Sequence, residues 1–174
     1  MPKGWQIKPN KSLRENAKNL LPVMFDEFIN HAARVYQHPR LKRELHMMRI
    51  AGKPMRYALE VFEIGFGKAF KKCFEEVKHL IELMGMVHDR DVTIPLLESQ
   101  MREIRMFNRS LTGQSGKIST KGIRQFIQHQ KRERNRLYLE TCAMLKKWKK
   151  ENFRTRLVSA MNRKRRSTVR ALAR

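Results

Sequence analysis

Acidic residues are scarce in this chain, with 16 Asp and Glu against 39 Lys and Arg among 174 residues. The resulting formal charge of +23 would repel itself strongly without counter-charge, so we expect an anionic partner. Nucleic acid, inorganic polyphosphate, an acidic protein and an anionic membrane surface all meet that need. Charge by itself does not rank them.

Long hydrophobic runs and cysteines are also lacking. No stretch reaches about 18 apolar residues, which predicts that no helix spans a membrane. The opening residues MPKGWQIKPNKS lack the apolar core of a secretory signal, so we expect a cytoplasmic protein without a membrane partner. Cys73 and Cys142 are the two cysteines, and their separation matches no metal-ligand spacing. We expect both to be reduced thiols near the core.

Motifs of catalysis are missing too. The chain contains no phosphate-cradling glycine loop, no HExxH pair and no Gly-x-Ser-x-Gly turn, so we expect neither an enzyme nor a bound metal or cofactor. The cluster His88–Asp91, HDRD, admits a metal-binding or acid–base interpretation. The favoured interpretation is that Asp89 or Asp91 caps the helix that follows and that both aspartates pair with arginines from the cationic face of residues 42–62 and orient them.

Helical periodicity is what the sequence has in abundance, and no segment alternates with the period of two that strands show. We therefore predict an all-α fold, an antiparallel four-helix bundle with a long basic C-terminal helix. Residues 1–161 form the helical domain, and residues 162–174 form a basic tail that is predicted to be flexible. The predicted helices are separated by prolines, glycines and the linker 111–116, and run over about 12–37, 42–62, 66–84, 91–110 and 119–161.

Three irregularities are expected inside these helices. Pro22 should kink the first helix, and Gly52-Lys53-Pro54 should bend or break the second. Gly85 should end the third. Ser12 and Glu15 have the spacing of a capping box at the start of the first helix.

The segment Lys42–Phe62, KRELHMMRIAGKPMRYALEVF, places five cationic or titratable residues on one helical face. We call these residues the cation row: Lys42, His46, Arg49, Lys53 and Arg56. A solvated helix face is the simplest interpretation of such a row. However, Glu44 and Glu60 lie off the row, so its charges should lack the i,i+4 partners common on solvated helices. Arginine forks also match phosphate oxygens.

Two motifs resemble the CHAD domain, the conserved histidine α-helical domain. The segment 45–62, LHMMRIAGKPMRYALEVF, resembles L-H-x-x-R-I-x-x-K-x-x-R-Y-x-L-E-x-F. The segment 84–92, MGMVHDRDV, is similar to L-G-x-x-R/H-D-x-D-V, a less specific motif. The resemblance covers roughly residues 5–145. Pro54 departs from it, because the family usually has a basic residue there.

The resemblance implies a helical module without a reaction of its own, whose basic surface binds inorganic polyphosphate. By motif, it assigns anion contacts to His46, Arg49, Lys53 and Arg56, and supporting roles to Tyr57 and Glu60. The segment 31–35, HAARV, echoes a further H-x-x-R-V motif and adds Arg34. Many family members have two bundles, and this chain has room for one, so a homodimer would restore the pair.

Two functions are therefore open. In the first, the cation row binds polyphosphate together with Arg124 and Lys131 of the long helix, whose spacing should bring them opposite the row, and the protein associates with polyphosphate granules. His88, Asp89 and Asp91 support this site. In the second, the protein binds nucleic acid non-specifically through its C-terminal third, where residues 117–174 hold 19 Lys and Arg against 3 Glu, a net +16. Exposed arginines at 132, 134 and 136 and the tail would then make the contacts.

Overall fold

The computed structural model describes residues 6–37, 42–113 and 115–163, and its regular elements in these ranges are all helical. The all-α prediction is thus confirmed, while the division into a helical domain and a tail stays a prediction, since the tail from residue 164 onward lies outside the described residues. The α-helices are α1 (Leu13–Ile29), α2 (Ala32–Gln37), α3 (Lys42–Phe62), α4 (Lys68–Ser110), α5 (Lys121–Lys150) and α6 (Phe153–Asn162), with a 3₁₀ turn at Glu63–Gly65 after α3. No helix in the described part is long and apolar enough to cross a membrane.

The first predicted helix is divided in the structure. Its capping box is present, because Ser12 Oγ accepts from the Glu15 amide and the Glu15 carboxylate accepts from the Ser12 amide at 2.9 Å. Pro22 lies within α1 without ending it. However, α1 stops at Ile29 and α2 starts at Ala32, so the expected continuous helix to residue 37 is wrong. The turn allows Val35 to be buried and its carbonyl to accept a hydrogen bond from the Tyr138 hydroxyl of α5.

Helix α3 has the predicted bounds and continues through Gly52 and Pro54, so no break divides the cation row. Gly52 is buried, and a Cβ at that position would lie 2.8 Å from Phe28 Cε2 and 3.2 Å from Ile81 Cγ1. Gly52 therefore permits close approach of α1 and α4 to α3. This packing holds the segment helical despite the low helix propensity of glycine.

The helix boundary predicted at Gly85 is also wrong. The two helices predicted on either side of Gly85 are one helix, α4, of 43 residues. It also continues through Pro95, and neither Asp89 nor Asp91 caps a helix. The physical reason is packing: α4 contacts both α3 and α5 and is buried at intervals from Phe70 to Ile94. A single glycine costs about 1 kcal/mol in a helix, which such burial outweighs.

The long C-terminal helix is likewise divided. Helix α5 ends at Lys150, Asn152 adopts a left-handed conformation with φ of 48°, and α6 folds back toward α1. Arg154 donates to both carboxylate oxygens of Asp26, at 2.6 and 2.8 Å. Phe153 stacks on Trp148 with ring centroids 4.0 Å apart. The fold-back buries apolar side chains of α6 that a straight helix would leave in solvent.

Neighbouring long helices pack antiparallel around one core. The contacts pair α1 with α3, α3 with α4, and α4 with α5. Beyond Ile94, α4 and the first part of α5 form a hairpin with little burial. Phe107 and Phe126 are about half exposed here, because α1 and α3 do not reach this end of α4.

Candidate functional site

The cation row lies along the side of α3 that faces α4. Because α3 and α4 run antiparallel, Lys42 is next to Asp91, His46 is next to His88, and the Arg49 side chain lies over Gly85. The core face of α3 is separate from the row and consists of Leu45, Met48, Gly52, Met55, Leu59 and Phe62. The row therefore follows the junction of two helices that the core holds in place, and we call the surface along this junction the groove.

At one end of the groove, a buried carboxylate joins three elements. The Lys42 ammonium lies 3.7 Å from Asp91 Oδ1 and donates to the Asp91 carbonyl at 3.3 Å. Arg134 of α5 donates to both oxygens of the same carboxylate, at 3.1 and 3.3 Å. Asp91 thus pairs with cations, as expected, although its arginine partner lies outside the cation row. Asp89 is exposed, and among the described residues its carboxylate forms no ion pair.

His46 and His88 stack in the middle of this half of the groove, with ring centroids 4.8 Å apart and an angle of 28°. Burial lowers the pKa of His88 below its usual value, and the positive charges of Arg49 and His46 lower it further. Asp89 and Asp91 act in the opposite direction, as smaller effects. The lowered pKa favours the neutral form of His88, and a negative charge placed at the groove would favour its protonated form.

Arg49 is partly enclosed by the groove. Its Nε is buried and has no hydrogen-bond partner in the described part of the chain, and the same holds for His46 Nδ1. A Cβ on Gly85 would lie 3.6 Å from Arg49 Nε, an ordinary van der Waals distance, so the glycine that was expected to end a helix instead lies beneath the guanidinium within α4. Within the described ranges, no carboxylate lies within 4.0 Å of Arg49 or Lys53.

Arg56, at the other end of the row, has local partners. Its guanidinium lies 3.6 Å from Glu60 and 4.3 Å from the centre of the Tyr57 ring. The expectation that the row lacks i,i+4 partners is therefore wrong at Arg56, because the three-four spacing of the row continues to Glu60, which lies on the row and not off it. Tyr57 and Glu60 hold Arg56 in place, which is the geometry expected of supporting residues.

The remaining predicted residues divide into two groups. Lys131 lines the same cleft as Lys42, an open volume of about 840 Å³ where the N-terminal end of α3 meets the middle parts of α4 and α5. The Lys131 ammonium lies 2.7 Å from Glu98. Arg34 is largely exposed on α2, 3.9 Å from Glu44. Arg124 is exposed on α5 and does not line this cleft, so the structure brings Lys131, but not Arg124, to the end of the cation row.

Arg134 is a site residue that the sequence interpretation placed wrongly. It was expected to be exposed for nucleic acid, but its side chain is 12% exposed and holds Asp91. Its distance of three residues from Lys131 puts both on one face of α5, and this spacing is the signal that could have found it. Arg136 is also engaged, since it pairs with Glu133 and Glu140 at 3.1 Å each.

Metal ligands are not gathered at this site: among the residues that the structure describes, no group of three or more His, Cys, Asp and Glu side chains could hold a metal ion. Comparison with protein families matches residues 3–98 to the CHAD domain, a range that includes α1, α2, α3 and the part of α4 that borders the groove. No curated protein and no solved structure matches the chain.

Proposed function

The chain belongs to the CHAD domain family, and on that premise we propose that its cation row binds inorganic polyphosphate, as a binding module that catalyses no reaction. The row spans about 21 Å, since 14 residues separate Lys42 from Arg56 at about 1.5 Å each. A row of that length suits a linear polyanion better than a single phosphate, which would engage one or two of its members.

The main support for the proposal is that Arg49 and Lys53 lack carboxylate partners in the described part of the chain. Lys42 and Arg56 at the ends of the row have carboxylate partners. Arg49 and Lys53 between them have none within ion-pair distance in the described part of the chain, although Arg49 is half-buried. Partly buried cations are costly without counter-charge, and phosphate oxygens would supply it.

The two histidines add a second anion-dependent element. Burial and the cations around it lower the pKa of His88, which favours its neutral form. A polyphosphate chain in the groove would offset those cations and favour a protonated imidazole. Binding would then take up a proton and add one positive charge beside the ligand.

Family membership also supports the finer fold prediction. We infer an antiparallel four-helix bundle of α1, α3, α4 and α5, in which successive long helices lie side by side. Helix α6 folds back on α1 and α4 and covers one side of the core. In this arrangement α3 and α4 are adjacent, and the groove follows from their adjacency.

A titration at matched charge tests the proposal. Long-chain polyphosphate and duplex DNA, at equal concentrations of phosphate charge, are titrated into the protein over a series of salt concentrations. We expect tighter binding to polyphosphate, and an affinity that falls steeply with salt because phosphate contacts release counterions. A clear preference for DNA would contradict the proposal and would favour the nucleic-acid alternative.

Two double variants locate the site. Arg49→Ala/Lys53→Ala should weaken polyphosphate binding by about tenfold or more, because charge-assisted hydrogen bonds contribute about 1.5 kcal/mol or more each. Arg105→Ala/Arg109→Ala removes the same charge from exposed positions on α4 beyond the end of α3 and is expected to have a small effect. Equal losses in the two variants would mean that net charge alone drives binding.

The nucleic-acid alternative relies on the basic C-terminal third, but two arginines of that segment, Arg134 and Arg136, are already held in ion pairs. A protein lacking residues 162–174 tests the remaining contribution of the tail.

The proposed absence of catalysis is tested by incubating the protein with polyphosphate and magnesium. Release of orthophosphate that disappears in Asp89→Asn/Asp91→Asn, with the helical content of that variant unchanged by circular dichroism, would establish an enzyme instead.

A further inference from the structure

The outward face of α3 has apolar side chains where a solvated helix would have polar ones. They recur in steps of three, four, three and four residues, which keeps them on one line along the helix. We call this line the apolar stripe: Met47, Ile50, Pro54, Tyr57 and Val61. Ile50, Tyr57 and Val61 are 47, 54 and 65% exposed. Contiguous exposed apolar surface of this kind marks an interaction site, not a surface for water.

The stripe has the spacing of a heptad seam. Alternating steps of three and four residues give the same spacing in either chain direction. The apolar stripe of one copy would therefore match the stripe of an antiparallel copy along its length. Centred between Met55 and Arg56, such a pair would place Ile50 opposite Val61 of the other copy and Pro54 opposite Tyr57. Ile64, in the 3₁₀ turn that follows α3, is 73% exposed and adds apolar surface near the end of the stripe.

The charges next to the stripe favour this antiparallel arrangement. Residues 42–52 hold three cations and Glu44, a net +2, whereas residues 53–63 hold Lys53, Arg56, Glu60 and Glu63, a net charge of 0. Antiparallel pairing brings the positive half of one copy alongside the balanced half of the other. Parallel pairing would instead place the two positive halves side by side.

Rotation about a two-fold axis then decides where the cation rows lie. On α3 the row is displaced by about 90° from the apolar stripe, toward α4, given about 100° of rotation per residue. The two-fold axis that relates two antiparallel helices is perpendicular to the plane that contains them. The sides of the two α3 helices that face α4 therefore lie on the same face of the dimer. The two rows would flank the seam, about 8–10 Å apart, which is the usual distance between packed helices.

From these relationships we infer that a second copy of this chain packs antiparallel against the apolar stripe, so that two cation rows bind one polyphosphate chain. This inference rests on the proposed function for its ligand but not for its contact surface. The seam has fewer than three heptads and is short for a coiled coil. A polyanion that contacts both rows should therefore strengthen the dimer by offsetting repulsion between two highly charged copies.

Light scattering tests the contact in two conditions. Without ligand, about 1 M NaCl reduces the Debye length to about 3 Å and screens repulsion between copies, so dimers should form as protein concentration rises. At about 0.15 M NaCl, polyphosphate should produce dimers at lower protein concentration. A monomer under both conditions would overturn the inference. Dimers that form at high salt, with no binding of polyphosphate, would preserve the contact surface and remove the proposed function.

A pair of neutral variants identifies the surface. Ile50→Gln/Val61→Gln keeps the charge and the helix propensity of α3 and should raise the dimer dissociation constant at least about tenfold, since each copy loses two apolar side chains from the contact. Leu96→Gln/Met106→Gln, at comparably exposed apolar positions on α4, should leave it unchanged. If the first variant stays as dimeric as the unchanged protein, the stripe is not the interface.

Cysteine cross-linking tests the register. A mixture of Ile50→Cys and Val61→Cys proteins should form a mixed disulfide dimer under mild oxidation, whereas either protein alone should not. The native Cys73 and Cys142 are buried, and burial raises the pKa of each thiol, so they should not interfere. Efficient cross-linking of Ile50→Cys with itself would indicate parallel pairing and would contradict the proposed arrangement.

Discussion

His46 of α3 and His88 of α4 lie stacked at 4.8 Å, within a groove that is otherwise rich in cations. The two residues are separated by 42 positions in the sequence and meet because α3 and α4 pack antiparallel. Their contact makes the groove sensitive to pH as well as to charge.

The first prediction concerns the stability of the protein without ligand. Because the pKa of His88 is lowered in the folded state, the unfolded chain binds more protons near the ordinary histidine pKa of 6.5. The contribution of His88 to the free energy of unfolding should therefore fall as the pH is lowered through about 6.5. Denaturant unfolding of the unchanged protein and of His88→Gln, from about pH 8 to about pH 5, measures the difference. A difference that does not vary with pH would contradict the prediction.

A second prediction concerns the same histidine with ligand present. Polyphosphate should raise the pKa of His88, because its negative charge offsets the effect of Arg49. By linkage, the affinity for polyphosphate should increase as the pH falls from about 8 to about 6, and His88→Gln should reduce that increase. NMR titration of the His88 ring with and without polyphosphate measures the shift directly. An identical titration curve in both samples would place the ligand elsewhere.

The third prediction concerns the buried carboxylate of Asp91. Asp91→Asn removes the carboxylate charge that Arg134 and Lys42 contact, and removing one partner of a buried ion pair costs about 3–5 kcal/mol. Asp89→Asn makes the same chemical change two residues away at an exposed position, where about 0.5 kcal/mol or less is expected. Urea unfolding of the two variants compares them. Similar midpoints would show that Asp91 is not the structural anchor of this end of the groove.

The fourth prediction uses two glycines in helices. Gly52→Ala would place a Cβ 2.8 Å from the Phe28 ring, so overpacking should destabilise the protein by about 1–3 kcal/mol. Gly122→Ala meets nothing within 4 Å and should stabilise it, by up to about 1 kcal/mol, through helix propensity. Thermal unfolding should therefore shift in opposite directions. A stabilised Gly52→Ala would mean that Phe28 moves aside without cost.

The fifth prediction concerns the turn between α5 and α6. Asn152 has a φ of 48°, a conformation that costs an ordinary side chain about 1–2 kcal/mol but costs glycine little. Asn152→Ala should therefore lower the free energy of unfolding, while Asn152→Gly should keep it near that of the unchanged protein. Equal effects of the two substitutions would show that contacts of the Asn152 side chain, not its backbone conformation, decide stability here.

The sequence alone determined the features that depend on near neighbours along the chain. The capping box at Ser12, the bounds of α3, the linker after Ser110 and the family were all predicted from local patterns. Apolar periodicity also identified most of the core, because a helix buries the same face at every turn. The position of the cation row on α3 followed from the same periodicity.

Only the tertiary structure decided which helices are continuous and which charges meet. Gly85 and Pro95 weaken a helix locally, but packing of α4 against α3 and α5 outweighs that cost, and no neighbouring residue reveals it. Similarly, Asp91 has a capping position in the sequence but pairs with Arg134, 43 residues away. Partners at that distance are selected by the way helices pack, since charge by itself attracts any opposite charge equally well.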